Sequence, residues 1–154
     1  METTRPAHED DRAVCLGLLT QALADTGARR GGAMLVGGTT PDELLSRWLH
    51  RDPSDAILFV GEFAHAVVGL AAAVTFTRGA TSVRSGRIEC CYVEDGARGV
   101  GVGSALTESV VAWCTEQGCR DIDACALPGD RHSKQRLEAA GFTARLLVLN
   151  RPLS

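Results

Sequence analysis

Hydrophobic and polar positions change period several times along this chain, and each change marks a predicted element. Between about residues 9 and 25, Val14, Leu18, Leu19, Ala22 and Leu23 recur at helical spacing, which predicts an amphipathic helix. Residues 26–39 carry glycines at 27, 31, 32, 37 and 38 and read as a mobile loop. Thr40-Pro41-Asp42-Glu43 is a helix start, with Thr40 as N-cap, Pro41 in the first turn and Glu43 closing a capping box. That helix runs to about His50. Two strands are predicted near residues 56–62 and 66–77, joined by a tight hairpin with His65 at its tip.

The stretch from Ile88 to Gly118 organises the rest. Ile88, Cys90 and Tyr92 alternate with Glu89, Cys91 and Val93, as in a strand whose two sets face opposite sides. Glu89 is thereby expected on the face of Cys91 and Val93, away from Tyr92. From Gly101 the period becomes helical through Val102, Leu106, Val110, Trp113 and Gln117. A further strand near residues 121–126 should run parallel to the first, because a helix crosses between them. Pro128-Gly129 breaks the chain, Asp130 caps a fourth helix and Gly141 ends it. Residues 143–150 read as a final strand, and no strand is evident in METTRPAH. The expectation is one α/β domain over residues 1–154.

Between the strand and the long helix lie Arg98, Gly99, Val100, Gly101, Val102 and Gly103. The first N–H groups of a helix lack internal partners and sit at the positive end of its dipole, so an anion is favoured there. Glycines let a phosphate approach the backbone, and Arg98 adds a charge. A P-loop is excluded, because Gly103 is followed by Ser104 and Ala105 rather than Lys and Ser or Thr. A dinucleotide fingerprint would need glycine at 104 or 106, where Ser104 and Leu106 stand.

What remains is Arg98-x-x-Gly101-x-Gly103 between a strand and a long helix. This resembles the acyl-CoA site of the GCN5-related N-acetyltransferase (GNAT) superfamily, and the order of elements resembles it over nearly the whole chain. The resemblance implies a mixed, mainly antiparallel sheet with a splayed parallel strand pair, flanked by about four helices. It implies acetyl-CoA as co-substrate, with pantetheine between the splayed strands on the backbone of Cys91, Tyr92 and Val93. The pyrophosphate would sit on the N–H groups of Val100, Gly101, Val102, Gly103 and Ser104, with Gly99 and Arg98 alongside. Counting back from Gly141-Phe142, the family's last-helix pattern places Asp130 and Ser133 at cofactor-contacting positions. It places Leu137 where many members carry a tyrosine that protonates the departing thiolate. Leu137 has no proton to give. A thiol pKa near 8.5 lets the thiolate leave without an acid.

Composition narrows the partners. A net charge of −3, with no basic stripe interleaved with aromatics, predicts no nucleic-acid binding. The N-terminus lacks the apolar core of a signal peptide and no apolar run spans a bilayer, so a cytoplasmic protein without membrane contact is expected. The six cysteines show no metal spacing, so no metal is expected, and they read as free thiols. Leu146 to Leu149 is an apolar run that suggests a homodimer contact. The functional expectation is transfer of an acetyl group to a small-molecule or protein amine, with Glu89 as general base because only a neutral amine attacks a thioester. The alternative is a degenerate domain that binds acyl-CoA as a sensor without turning it over. Cys91 as a nucleophile is disfavoured, since no residue nearby in sequence supplies the base it would need.

Overall fold

The computed structural model of the chain describes residues 1–154. Five strands form one sheet in sequential order: β1 (Glu2–Pro6), β2 (Ala56–Phe63), β3 (Ala66–Thr77), β4 (Arg84–Val93) and β5 (Ile122–Asp123). The first four pair antiparallel, and β5 joins β4 in parallel, as a helical crossover requires. Helices α1 (Arg12–Ala28), α2 (Ala33–Val36) and α3 (Pro41–Leu49) lie between β1 and β2. Helix α4 (Val102–Glu116) links β4 to β5, and α5 (Arg131–Ala139) follows β5. No helix is long and apolar enough to cross a membrane.

The sheet carries an apolar layer on each face. On one, Leu18 and Leu19 of α1 and Leu45 and Trp48 of α3 pack on Leu58, Val60, Leu70 and Tyr92. On the other, Val102, Leu106, Val110 and Trp113 of α4 and Leu137 of α5 pack on Ala71, Ala73, Ile88 and Val93. Strand β3 is covered on both sides, which explains its nearly unbroken apolar sequence. Helix α4 comes close to the sheet because Gly61 has no side chain: a Cβ there would stand 2.5 Å from Val102 Cγ1.

Several local expectations hold. The Thr40–Glu43 capping box forms in both directions, at 3.2 and 2.9 Å. The β2–β3 hairpin turns on Ala64 and His65, both in the left-handed region. The buried face of α1 is centred on Cys15, Leu18, Leu19 and Ala22, with Val14 outside it.

Three expectations are corrected. METTRPAH does contain a strand. β1 is a polar edge strand with no apolar alternation to reveal it, held by pairing with β2 and by Arg5, whose Nε donates to Glu62 at 2.9 Å. The loop over residues 26–39 includes the short helix α2. Residues 143–150 form no strand. Leu146 to Leu149 are 73–91% exposed, and β5, the strand they would flank, is only two residues long and offers no ladder.

The Arg5 guanidinium also grips Asp11 with two hydrogen bonds, 2.8 and 2.9 Å, while Asp11 accepts the His8 N–H at 2.8 Å. These contacts tie β1 to the start of α1. The bonds from Arg5 hold the buried Asp11 carboxyl at about 2, below its ordinary 3.8. A depressed carboxyl stabilises the fold at pH values above the unfolded pKa and loses that contribution as pH falls through the folded one. Asp11→Asn is therefore expected to cost about 1–2 kcal/mol near neutrality, reduced by the partial exposure of Arg5. The gap between the two proteins in urea denaturation should close as pH drops from about 4 to about 2.

Candidate active site

β4 and β5 part early. They pair only at Gly86–Ile122 and Arg87–Asp123, and beyond that a cleft of about 560 Å³ opens between them. Its walls are the second half of β4, α1, the start of α4 and α5. The Glu94 N–H is bonded to the Val68 carbonyl on β3, whereas the Val93 carbonyl accepts Arg98 Nε at 3.0 Å on the opposite side. Strand alternation then turns the backbone groups of Cys91 and Val93 to the open edge and those of Tyr92 to β3. The backbone groups of Tyr92 are thus paired with β3, although the residue still lines the cleft. Its ring packs in the α1–α3 layer and its hydroxyl donates to Gln21 at 3.2 Å.

Glu89 is displaced from its expected face by a β-bulge. Ala72 pairs with Cys90 and Ala73 with Ile88, so Glu89 is the extra residue on β4. The bulge resets the alternation. Ile88 joins Cys91 and Val93 in the α4 layer, while Glu89 turns to the side of Cys90 and Tyr92. There its Oε1 accepts the indole N–H of Trp48 at 2.9 Å. Glu89 is exposed to the cleft and Trp48 is buried, so a rigid side chain aims a solvated carboxylate.

At the other end of the cleft, α4 begins at Gly101, which has φ 95° and no side-chain cap. The N–H groups of Val102, Gly103 and Ser104 have no acceptor within the helix. Gly99, Gly101, Gly103 and Ser104 line the cleft; the side chain of Val102 is buried in the core and Val100 points outside. Arg98 is engaged elsewhere. Its guanidinium bonds Asp95 at 2.8 Å and Asp25 at 3.5 Å and lies 5.6 Å from the Tyr92 ring centre. Arg136 of α5 takes the place nearest the glycines: a Cβ on Gly103 would meet its Cδ at 3.3 Å and Nη1 at 3.4 Å. Its Nε is buried without a hydrogen-bond partner and its guanidinium has no ion pair within 4.0 Å.

Asp130 and Ser133 satisfy each other. Asp130 caps α5 by accepting the Ser133 N–H at 3.2 Å and the Ser133 hydroxyl at 2.8 Å. Burial acts to raise the Asp130 carboxyl, but the bonds from Ser133 and the charges of Arg29 and Arg136 outweigh it and leave it lowered. Leu137 is buried, and His132 sits exposed at the rim. Arg136 and Trp48 are the residues that sequence reasoning missed. Arg136 lies three positions after Ser133, so helical spacing alone puts it on the same face. Trp48 reads as a core residue, and nothing in the sequence links it to Glu89. No group of three or more His, Cys, Asp or Glu is arranged to hold a metal ion.

Comparison with known proteins agrees with this architecture. The family model described as the acetyltransferase (GNAT) family matches residues 26–142, well over half of the chain. Aminoglycoside N(6')-acetyltransferase type 1 of Stenotrophomonas maltophilia is 32% identical over 80 residues, covering 51% of this chain and 52% of that protein. The chain thus spans about half the length of the curated relative it matches. Among solved structures, the aminoglycoside acetyltransferase AAC(6')-Iy in complex with a bisubstrate analogue superposes with a TM-score of 0.75 at 20% identity, over 100% of this chain and 99% of that one. A putative acetyl transferase from Pyrococcus furiosus gives 0.75 at 20% identity, over 99% and 100% of the respective chains. Glucosamine-6-phosphate N-acetyltransferase from Arabidopsis thaliana gives 0.71 at 17%, over 100% and 99%. At such identities these structures establish a shared fold.

All six cysteines are free thiols, and their surroundings differ sharply. Burial pushes Cys15 up to about 11 and Cys90 and Cys114 up to about 12, and it raises Cys91 as well. Cys125 is exposed and lines the cleft. Titration of the native protein with a thiol reagent at pH 8 should label Cys125 first. Cys15 and Cys114 should react only on unfolding, Cys90 and Cys91 in the cleft more slowly than Cys125, and denatured, unreduced protein should yield all six.

Proposed function

The chain belongs to the acetyltransferase (GNAT) family, and from that premise we propose that it moves an acetyl group directly from acetyl-CoA to a primary amine, with Glu89 as general base. One observation carries the reading: β4 leaves β5 after two pairs and presents an unpaired backbone edge that leads to the free N-terminus of α4. An extended pantetheine chain with two amides completes such an edge as an added strand would. Cys91 offers both backbone groups, and Val93 offers its N–H beside the carbonyl that already holds Arg98. The pyrophosphate then meets the amides of Val102, Gly103 and Ser104, and Arg136 supplies the unpaired charge in place of the occupied Arg98. Gly99 and Gly101, both at positive φ, shape the turn that leads into α4. Asp130 and Ser133 shape the opposite wall as a cap.

Glu89 takes one proton from the ammonium, directly or through water, the freed nitrogen attacks the thioester carbonyl carbon, and its second proton passes to solvent water as the adduct forms. Collapse of the tetrahedral adduct breaks the carbon–sulfur bond, giving the amide and the CoA thiolate. Water protonates the thiolate, since Leu137 brings no acid. The buried Leu137 is also the observation that favours a second reading, binding without turnover. Release of free thiol from acetyl-CoA in a panel of amines separates the two.

Gly103→Val would crowd Arg136 and Val93 Cγ2 and obstruct the pyrophosphate. It should weaken acetyl-CoA binding tenfold or more, on the order of 1.4 kcal/mol. Arg136→Ala should cost a similar factor, since hydrogen bonds to charged groups contribute about 1.5–3 kcal/mol. Calorimetry giving wild-type affinity in both variants would overturn the cofactor site. Glu89→Gln should leave acetyl-CoA affinity nearly unchanged and lower kcat by roughly a hundredfold. An unaltered kcat would remove Glu89 from the mechanism.

A further inference from the structure

The half of the cleft beyond Glu89, away from the α4 glycines, differs in chemistry from the rest. It is lined by Leu19 and Leu23 of α1, Leu35 and Val36 of α2, and Leu44 and Trp48 of α3. Leu19 is fully buried and forms the floor, whereas Leu35 is 54% exposed and forms the rim. Glu89, bonded to Trp48, is the polar group beside this wall, and Asp25, Thr26 and Arg29 follow Leu23 along the cleft. An apolar wall with one convergent polar group is what holds an apolar body and orients one reactive atom.

The charges of the whole cleft point the same way. Three carboxylates line it, and two are already engaged. Asp25 is paired with Arg98 at 3.5 Å and Asp130 is bound by Ser133. Glu89 is the third, and its only partner is the neutral indole of Trp48. Arg29, Arg98 and Arg136 line the same cleft and balance the three acids. A ligand with several ammonium groups would find only one carboxylate without a charged or capping partner, since Arg98 is already engaged with Asp25 and Asp95 and Arg136 faces the glycine end. A ligand with a single ammonium meets Glu89 and buries the rest of its surface.

We propose that the acceptor is a primary amine carrying one positive charge on an aromatic or bulky aliphatic body, the body lying among Leu19, Leu23, Leu35, Val36, Leu44 and Trp48 and the nitrogen at Glu89. This rests on the acetyl-transfer reading and specifies its acceptor. It separates this chain from the aminoglycoside acetyltransferases it is similar to, whose named substrates are polar and polycationic. Short α2 is part of the device. Gly31 and Gly37 flank it with φ of 77° and 53°, so two glycine turns set its apolar Leu35 and Val36 over the site.

The test uses the full chain with acetyl-CoA and four acceptors: 2-phenylethylamine, ethanolamine, neamine and a short peptide with a free N-terminus. Thiol release should give kcat/KM for 2-phenylethylamine at least tenfold above each of the others. Leu35→Ser, at an exposed position that spares the core, should raise KM for 2-phenylethylamine several-fold more than it lowers kcat. Neamine or the peptide matching or exceeding 2-phenylethylamine would overturn the acceptor class. Calorimetry on the CoA-loaded protein keeps that class testable apart from turnover. Tenfold tighter binding of 2-phenylethylamine than of neamine, with no thiol release from any amine, would uphold the apolar acceptor site and overturn the transfer reaction. Equal or weaker binding of 2-phenylethylamine would overturn the site itself.

Discussion

An unpaired strand edge inside a protein is a demand for a partner, and the second half of β4 is such an edge. A backbone N–H or C=O shielded from water without a hydrogen bond costs roughly 1–3 kcal/mol, so folded chains pair these groups or leave them wet. β5 satisfies β4 at two residues and then departs. The cleft that results keeps the edge of Cys91 and Val93 open to whatever can complete it. The N-terminus of α4, the bulge at Glu89 and the face of α5 all converge on that opening. Had β5 continued along β4, the edge would be closed and Glu89 would have no cleft to face.

The charges around the opening are arranged by what each already holds. Arg98, the arginine of the glycine turn, is absorbed by Asp95, Asp25 and the Val93 carbonyl. It stiffens the turn and fixes the end of β4. Arg136 has no such partner and lies against Gly103, at the point where helix amides and dipole are positive. These two positive elements side by side favour an anion between them, with the Glu2 carboxylate also near Gly101. At the far end, Glu89 is aimed by a buried tryptophan rather than by a base. The carboxylate stays unpaired with any cation.

Much of this was legible locally. The capping box at Thr40, the helical spacing of Val102 to Trp113, the two-residue turn near His65 and the strand–glycine–helix order around Arg98 are all set by neighbours within a few residues. Those signals sufficed for the strand–turn–helix unit around Arg98 and for the resemblance that implied the fold class. They failed for β1, whose polar residues are held by pairing with a strand more than fifty positions away, and for residues 143–150, where an apolar run found no edge to join.

By itself, the sequence determined the starts of the helices at Pro41 and Val102, the apolar faces of α1 and α4, and that a glycine turn opens the helix after β4. These follow from periodicity and capping, which act over three or four residues. The tertiary structure alone decided which way Glu89 points. A bulge is a property of two strands in register, and the single extra residue opposite Ala72 and Ala73 reversed the face that alternation within β4 predicts. The same holds for Trp48 against Glu89 and Arg136 against Gly103, contacts between residues dozens of positions apart. Such contacts are chosen by how layers pack on the sheet, and no spacing within one segment encodes them.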